Sequence, residues 1–127
     1  MIIKHLLAHK KKAVLVSVVY TIVLTYYCLK ASPISIKLPS QSDKLLHALA
    51  YFVFTIAWFL SFKFTFNFTK LKSLITVFCL AVLFGIFIEY LQYTLTNHRQ
   101  ADILDVLANT FGTILAVILL KFTFNDR

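Results

Sequence analysis

Between positions 89 and 109 the chain reads EYLQYTLTNHRQADILDVLAN, a stretch that holds Glu89, Gln92, Arg99, Asp102, Asp105 and Asn109. Helical spacing puts these groups on shared faces. Glu89 and Gln92 are one turn apart, while Asp102, Asp105, Asn109 and Gly112 step along a single stripe. Upstream, Asp43 and His47 are four residues apart, one helical turn, with Lys44 beside them. Such parts suit a limited range of chemistry. Arg99 offers a planar fork for phosphate, with Lys44 and His47 as further donors. Gln92 and Asn109 can read hydroxyl or sugar groups. The carboxylates of Asp43, Glu89, Asp102 and Asp105 can orient those cations, or hold a divalent ion that bridges to phosphate. Glu89 and Asp105, in unlike surroundings, can also serve as acid and base, with His47 as a third catalytic candidate.

No GxSxG, HExxH or phosphate-binding loop accompanies these residues. The pattern requires no resident metal or cofactor, and it leaves open whether the chain is an enzyme. The competing structural role is glue, in which the polar groups pair with one another and fix the helices. Interhelical hydrogen bonds in membranes contribute only about 0.6 to 2 kcal/mol each, so carboxylates are an expensive way to achieve that.

A membrane fold is what must position them. Of the 127 residues, 60% are hydrophobic and 14% charged, whereas soluble domains run near half apolar and a quarter charged. A soluble core this small could not enclose that much apolar surface. Four apolar stretches, 13–29, 45–62, 73–95 and 103–120, come close to the length of about 20 residues that crosses a bilayer. In lipid each must be helical, because only a helix satisfies its own backbone groups. The expectation is an all-α, polytopic bundle of four transmembrane helices forming one membrane domain over 1–127. Residues 1–32 have the basic start and apolar middle of a signal peptide but lack a small-x-small site, so the first run reads as a retained span. Cys28 and Cys79 fall inside apolar runs with no CxxC spacing.

The net charge of +8 does not indicate nucleic acid, since the basic residues sit at the ends of the apolar runs, where they anchor to lipid head groups. Four spans put Lys4, Lys10, Lys11, Lys12, Lys63, Lys70, Lys72, Lys121 and Arg127 on one side, and Lys30, Lys37, Lys44 and Arg99 on the other. By the positive-inside rule both termini are then cytoplasmic, N-in and C-in. Asp43, Glu89, Asp102 and Asp105 fall at the outward ends of their helices, so helices 2, 3 and 4 wall an outward-facing polar pocket. Helix 1 reads as apolar support, and Tyr51, Trp58, Tyr90 and Tyr93 as interfacial anchors or packing.

DKLLH at 43–47, EYLQ at 89–92 and RQADILDVLANTFG at 99–112 together resemble the signature of the VanZ-like family, small bacterial membrane proteins of the teicoplanin-resistance type. The family pattern of Asp-Lys then His, Glu-x-x-Gln, and Arg followed by Asp, Asn and Gly is met by Asp43, Lys44, His47, Glu89, Gln92, Arg99, Asp105, Asn109 and Gly112. This resemblance implies a multi-pass protein of the bacterial cytoplasmic membrane, linked to the cell envelope and to glycopeptide susceptibility. Joined with the residue chemistry, it leads to an expected partner, a membrane lipid: an anionic head group or a polyprenyl-phosphate bound from the outer leaflet. The alternatives are a hydrolase or transferase acting on a lipid-linked phosphate, and a bundle whose polar cluster only holds helices together.

Overall fold

The computed structural model describes residues 2–29, 40–95 and 103–124, with side chains from residue 10 onward in the first stretch and from residue 44 onward in the second. Among these residues there is no strand. The chain forms α1 (Ile2–Leu29), α2 (Ser40–Leu60), a π-helical turn (Ser61–Thr65), α3 (Lys70–Leu95) and α4 (Ile103–Thr123). Within them lie four segments long and apolar enough to cross a membrane, Lys10–Leu29, Lys44–Thr65, Lys70–Leu95 and Ile103–Thr123. The four apolar stretches of the sequence thus correspond to the four helices.

Local chemistry explains how α2 gives way to α3. The π-helical turn is closed by the Phe66 N–H, which donates to the Ser61 carbonyl at 3.2 Å. Asn67 then takes the left-handed conformation, φ 59°, which asparagine tolerates better than most residues and which reverses the chain. Thr69 caps α3: its Oγ1 accepts from the Lys72 N–H at 3.2 Å, satisfying one of the orphan donors of the first turn.

Helices α2 and α4 run parallel and touch backbone to backbone. A Cβ added at Gly112 would lie 1.9 Å from the Ala48 carbonyl oxygen, so only glycine permits this approach. Helix α3 runs antiparallel to α4. At one end of the bundle Lys70 Nζ donates to the carbonyls of Lys121 (3.0 Å) and Phe124 (3.2 Å), placing a cation on the orphan carbonyls at the end of α4. Phe59, Leu74, Val77 and Leu120 form the apolar core of that end, with the Phe124 ring 5.4 Å from that of Phe59.

Hydroxyl groups attach α1 to α2. Ser17 Oγ donates to the Ala57 carbonyl at 2.9 Å and lies 2.8 Å from Ser61 Oγ. Trp58 Nε1 donates to Thr21 Oγ1 at 2.9 Å, and Tyr20 Oη to the Ala50 carbonyl at 2.6 Å. The opposite face of α1 exposes Leu15, Val16, Val19, Ile22 and Val23, the apolar surface expected of a helix against lipid.

Candidate functional site

The other end of the bundle is polar. Lys44, His47 and Tyr51 follow one another along α2, Gly85, Glu89 and Gln92 along α3, and Asp105, Asn109, Gly112 and Thr113 along α4. On α4 the stripe is sharply defined: Asp105, Asn109 and Gly112 are buried, while Leu104 before them and Leu107 and Phe111 between them are exposed. Helix α3 behaves alike, with Gly85, Glu89 and Gln92 inward and Ile86, Phe87, Tyr90 and Tyr93 outward. The chain therefore turns its polar residues into the bundle and its apolar ones toward the surroundings, as helices in lipid require.

Burial of these groups is nearly complete, with Glu89 at 7%, Gln92 at 1%, Asp105 at 6% and Asn109 at 3% exposure. A carboxylate so enclosed needs compensation. For Asp105 it comes from three directions. Lys44 Nζ donates to Oδ1, His47 Nε2 lies 3.8 Å from Oδ2, and the residue sits in the first turn of α4, where the helix dipole favours negative charge. The Gln92 amide is tied down by α1, donating from Nε2 to the Cys28 carbonyl at 2.8 Å. This corrects the expectation that helix 1 is only apolar support. The α1 groups Cys28 and Tyr20 are also within electrostatic reach of Tyr51.

Along the α2–α4 seam the polar residues form rungs. The first is the His47–Asp105 contact. One turn further in stand Tyr51 and Asn109, which converge over Gly85: a Cβ there would be 3.4 Å from Tyr51 Cε2 and 3.3 Å from Asn109 Nδ2. The third rung is Thr55 with Thr113, their hydroxyls 3.3 Å apart. Each of these threonines also donates to the carbonyl of the residue above it, Thr55 to Tyr51 at 2.7 Å and Thr113 to Asn109 at 3.0 Å. The middle rung differs from its neighbours. Tyr51 Oη and Asn109 Oδ1 are buried without a hydrogen-bond partner among the described residues. Such orphans are rare and cost about 1–3 kcal/mol each. Glu89, on the next turn of α3 from Gly85, lies within electrostatic reach of Tyr51.

Of the residues singled out in the sequence, Lys44, His47, Glu89, Gln92, Asp105 and Asn109 are brought to this one end. Arg99 and Asp102 lie outside the described residues, as does the side chain of Asp43. Among the described residues no three His, Cys, Asp or Glu side chains gather as metal ligands. Sequence reasoning read Tyr51 only as an anchor or packing residue and passed over Thr55 and Thr113. A signal for them exists: KFTFN occurs at 63–67 and again at 121–125, and the same offset of 58 separates Thr55 from Thr113. Carried back along both helices, that offset pairs Tyr51 with Asn109 and His47 with Asp105.

A family model described as VanZ/LLP1 matches residues 16–124 of the chain, which takes in the second half of α1, all of α2, α3 and α4, and every residue of the polar end. No curated protein and no solved structure matches it.

Proposed function

Because the chain belongs to the VanZ/LLP1 family, and because its membrane helices enclose a cluster of opposed charges, we propose that it binds the head group of an anionic lipid or lipid-linked phosphate. In this reading the protein spans the bacterial cytoplasmic membrane with both termini inside, and the polar end opens to the outer leaflet. Lys44 and His47, with Arg99 from the stretch between α3 and α4, draw the phosphate. Asp105 holds Lys44 and His47 of α2 in place, and Gln92 and Asn109 read neighbouring polar groups. A role in glycopeptide (teicoplanin) susceptibility would follow from altering how such a lipid is presented at the cell surface.

The observation that carries this reading is the pair of orphaned polar atoms beneath the Lys44–Asp105 contact. A cluster serving only as glue would satisfy its own members, since unsatisfied groups in a low-dielectric interior weaken the packing they are meant to secure. A hydrolytic or transfer reaction at Glu89, Asp105 or His47 would use the same bound ligand, so binding is the step to test first. Native mass spectrometry of the detergent-purified protein, beside Arg99→Ala and Lys44→Ala, should find a co-purifying anionic lipid that is lost in both variants. No bound lipid in the wild-type protein, with both variants markedly less stable, would leave glue as the role of the cluster.

A further inference from the structure

Charge alone does not account for the foot of the site. The upper rung carries the Lys44 ammonium and the His47 imidazole, donors that suit a phosphate. One turn deeper the available groups are of another kind. Tyr51 Oη, buried and without an acceptor among the described residues, is a donor; Asn109 Oδ1, buried and without a donor among them, is an acceptor. Glu89 adds a buried carboxylate close by. An ionised phosphate brings only acceptor oxygens and negative charge, so it would meet Asn109 Oδ1 and Glu89 unfavourably. A hydroxyl brings one donor and two acceptor positions, which is what Tyr51 and Asn109 together lack.

We propose that Tyr51 and Asn109 form a hydroxyl-reading pair, and that the ligand is a lipid phosphodiester whose head group carries free hydroxyls, as glycerol and cyclic polyols do. This rests on the lipid-binding reading and narrows its ligand class. Spacing agrees with it. The upper and middle rungs are four residues apart on both helices, about 6 Å at 1.5 Å per residue, a distance that a glycerol arm reaches from its phosphate. At this level Tyr51 and Asn109 close on Gly85 of α3, where a Cβ would lie 3.4 Å from Tyr51 Cε2 and 3.3 Å from Asn109 Nδ2, so the two side chains are held side by side. Because Tyr51 Oη bonds to no other described group, its removal should alter ligand choice and not the fold.

The test is competitive native mass spectrometry of the full-length protein with phosphatidylglycerol, phosphatidylinositol and phosphatidic acid of matched acyl chains at equal concentration. Wild type, Tyr51→Phe and Asn109→Ala are compared, and the thermal midpoint of each is recorded. The wild-type protein should favour a hydroxyl-bearing lipid over phosphatidic acid by about tenfold, the effect of one hydrogen bond in a buried site. The preferred hydroxyl-bearing lipid identifies an open-chain or a cyclic polyol. Tyr51→Phe should bring the ratio close to one while shifting the midpoint by less than about 3 °C. Equal binding of all three lipids by wild type, or an unchanged preference in Tyr51→Phe, would overturn the hydroxyl pair and leave lipid binding standing. Loss of stability in Tyr51→Phe without loss of preference would overturn it as well, by showing that the hydroxyl serves the fold. Failure of wild type to bind any of the lipids would overturn the binding reading itself.

Discussion

The two glycines of this chain should respond in opposite ways to the same substitution. At Gly112 an added methyl would meet three backbone atoms of Ala48, at 1.9 Å from the oxygen, 2.7 Å from the carbonyl carbon and 2.9 Å from Cα. None of these can rotate aside. To restore an ordinary contact of about 3.4 Å, α2 and α4 must separate by roughly 1.5 Å at this level. That movement stretches the 3.3 Å Thr55–Thr113 contact past any hydrogen bond and strains the Lys44–Asp105 contact at the other end of the same seam. Overpacking a tight core usually costs about 1–3 kcal/mol, and a clash with fixed backbone belongs at or above the top of that range. Gly112→Ala should therefore lower the thermal midpoint in detergent by about 10 °C or more. At Gly85 the nearest atoms are the side-chain atoms Asn109 Nδ2 at 3.3 Å and Tyr51 Cε2 at 3.4 Å. They need yield only a few tenths of an ångström, so Gly85→Ala should cost less than about 1 kcal/mol. Ala48→Gly should not rescue Gly112→Ala, because the obstruction is the peptide carbonyl and not the alanine methyl. Equal midpoints for Gly85→Ala and Gly112→Ala, or rescue by Ala48→Gly, would refute the backbone contact between α2 and α4.

Removing Lys44 alone leaves the buried Asp105 carboxylate with less compensation, so Lys44→Met should destabilise the bundle by about 1–2 kcal/mol, discounted because Lys44 is partly exposed. Adding Asp105→Leu should recover much of that stability while lipid retention stays lost, a non-additivity that a thermal double-mutant cycle measures directly. Thr69→Ala removes the cap of α3 and should cost about 1 kcal/mol without changing lipid retention, as thermal denaturation beside native mass spectrometry would record. For the proposed orientation, Asn67→Cys in a background where Cys28 and Cys79 are replaced should react with a membrane-impermeant maleimide only after the cells are opened; labelling of intact cells would reverse the assignment of the two faces.

Much of this molecule is legible in the order of its residues. Four apolar runs of bilayer length can only be helices, because lipid offers nothing else for their backbone groups to bond with. A charged residue in such a run must turn inward, so the spacing of Asp105, Asn109 and Gly112 already defines the buried stripe of α4. Periodicity therefore identified the polar faces of α3 and α4 and the Lys44–His47 set. It could not determine which face meets which, because one helix's stripe says nothing of its neighbour's rotation or depth. That was decided by tertiary packing: Gly112 closing on Ala48 fixes the register between α2 and α4 and so sets Lys44 and His47 against Asp105. Packing also decided the role of Tyr51. An aromatic residue near a span end is normally an interfacial anchor, but its placement over Gly85 and beside Asn109 encloses its hydroxyl in the site. The contribution of α1 was invisible for a similar reason. The group it offers to Gln92 is a backbone carbonyl, which every residue possesses and which no sequence pattern marks.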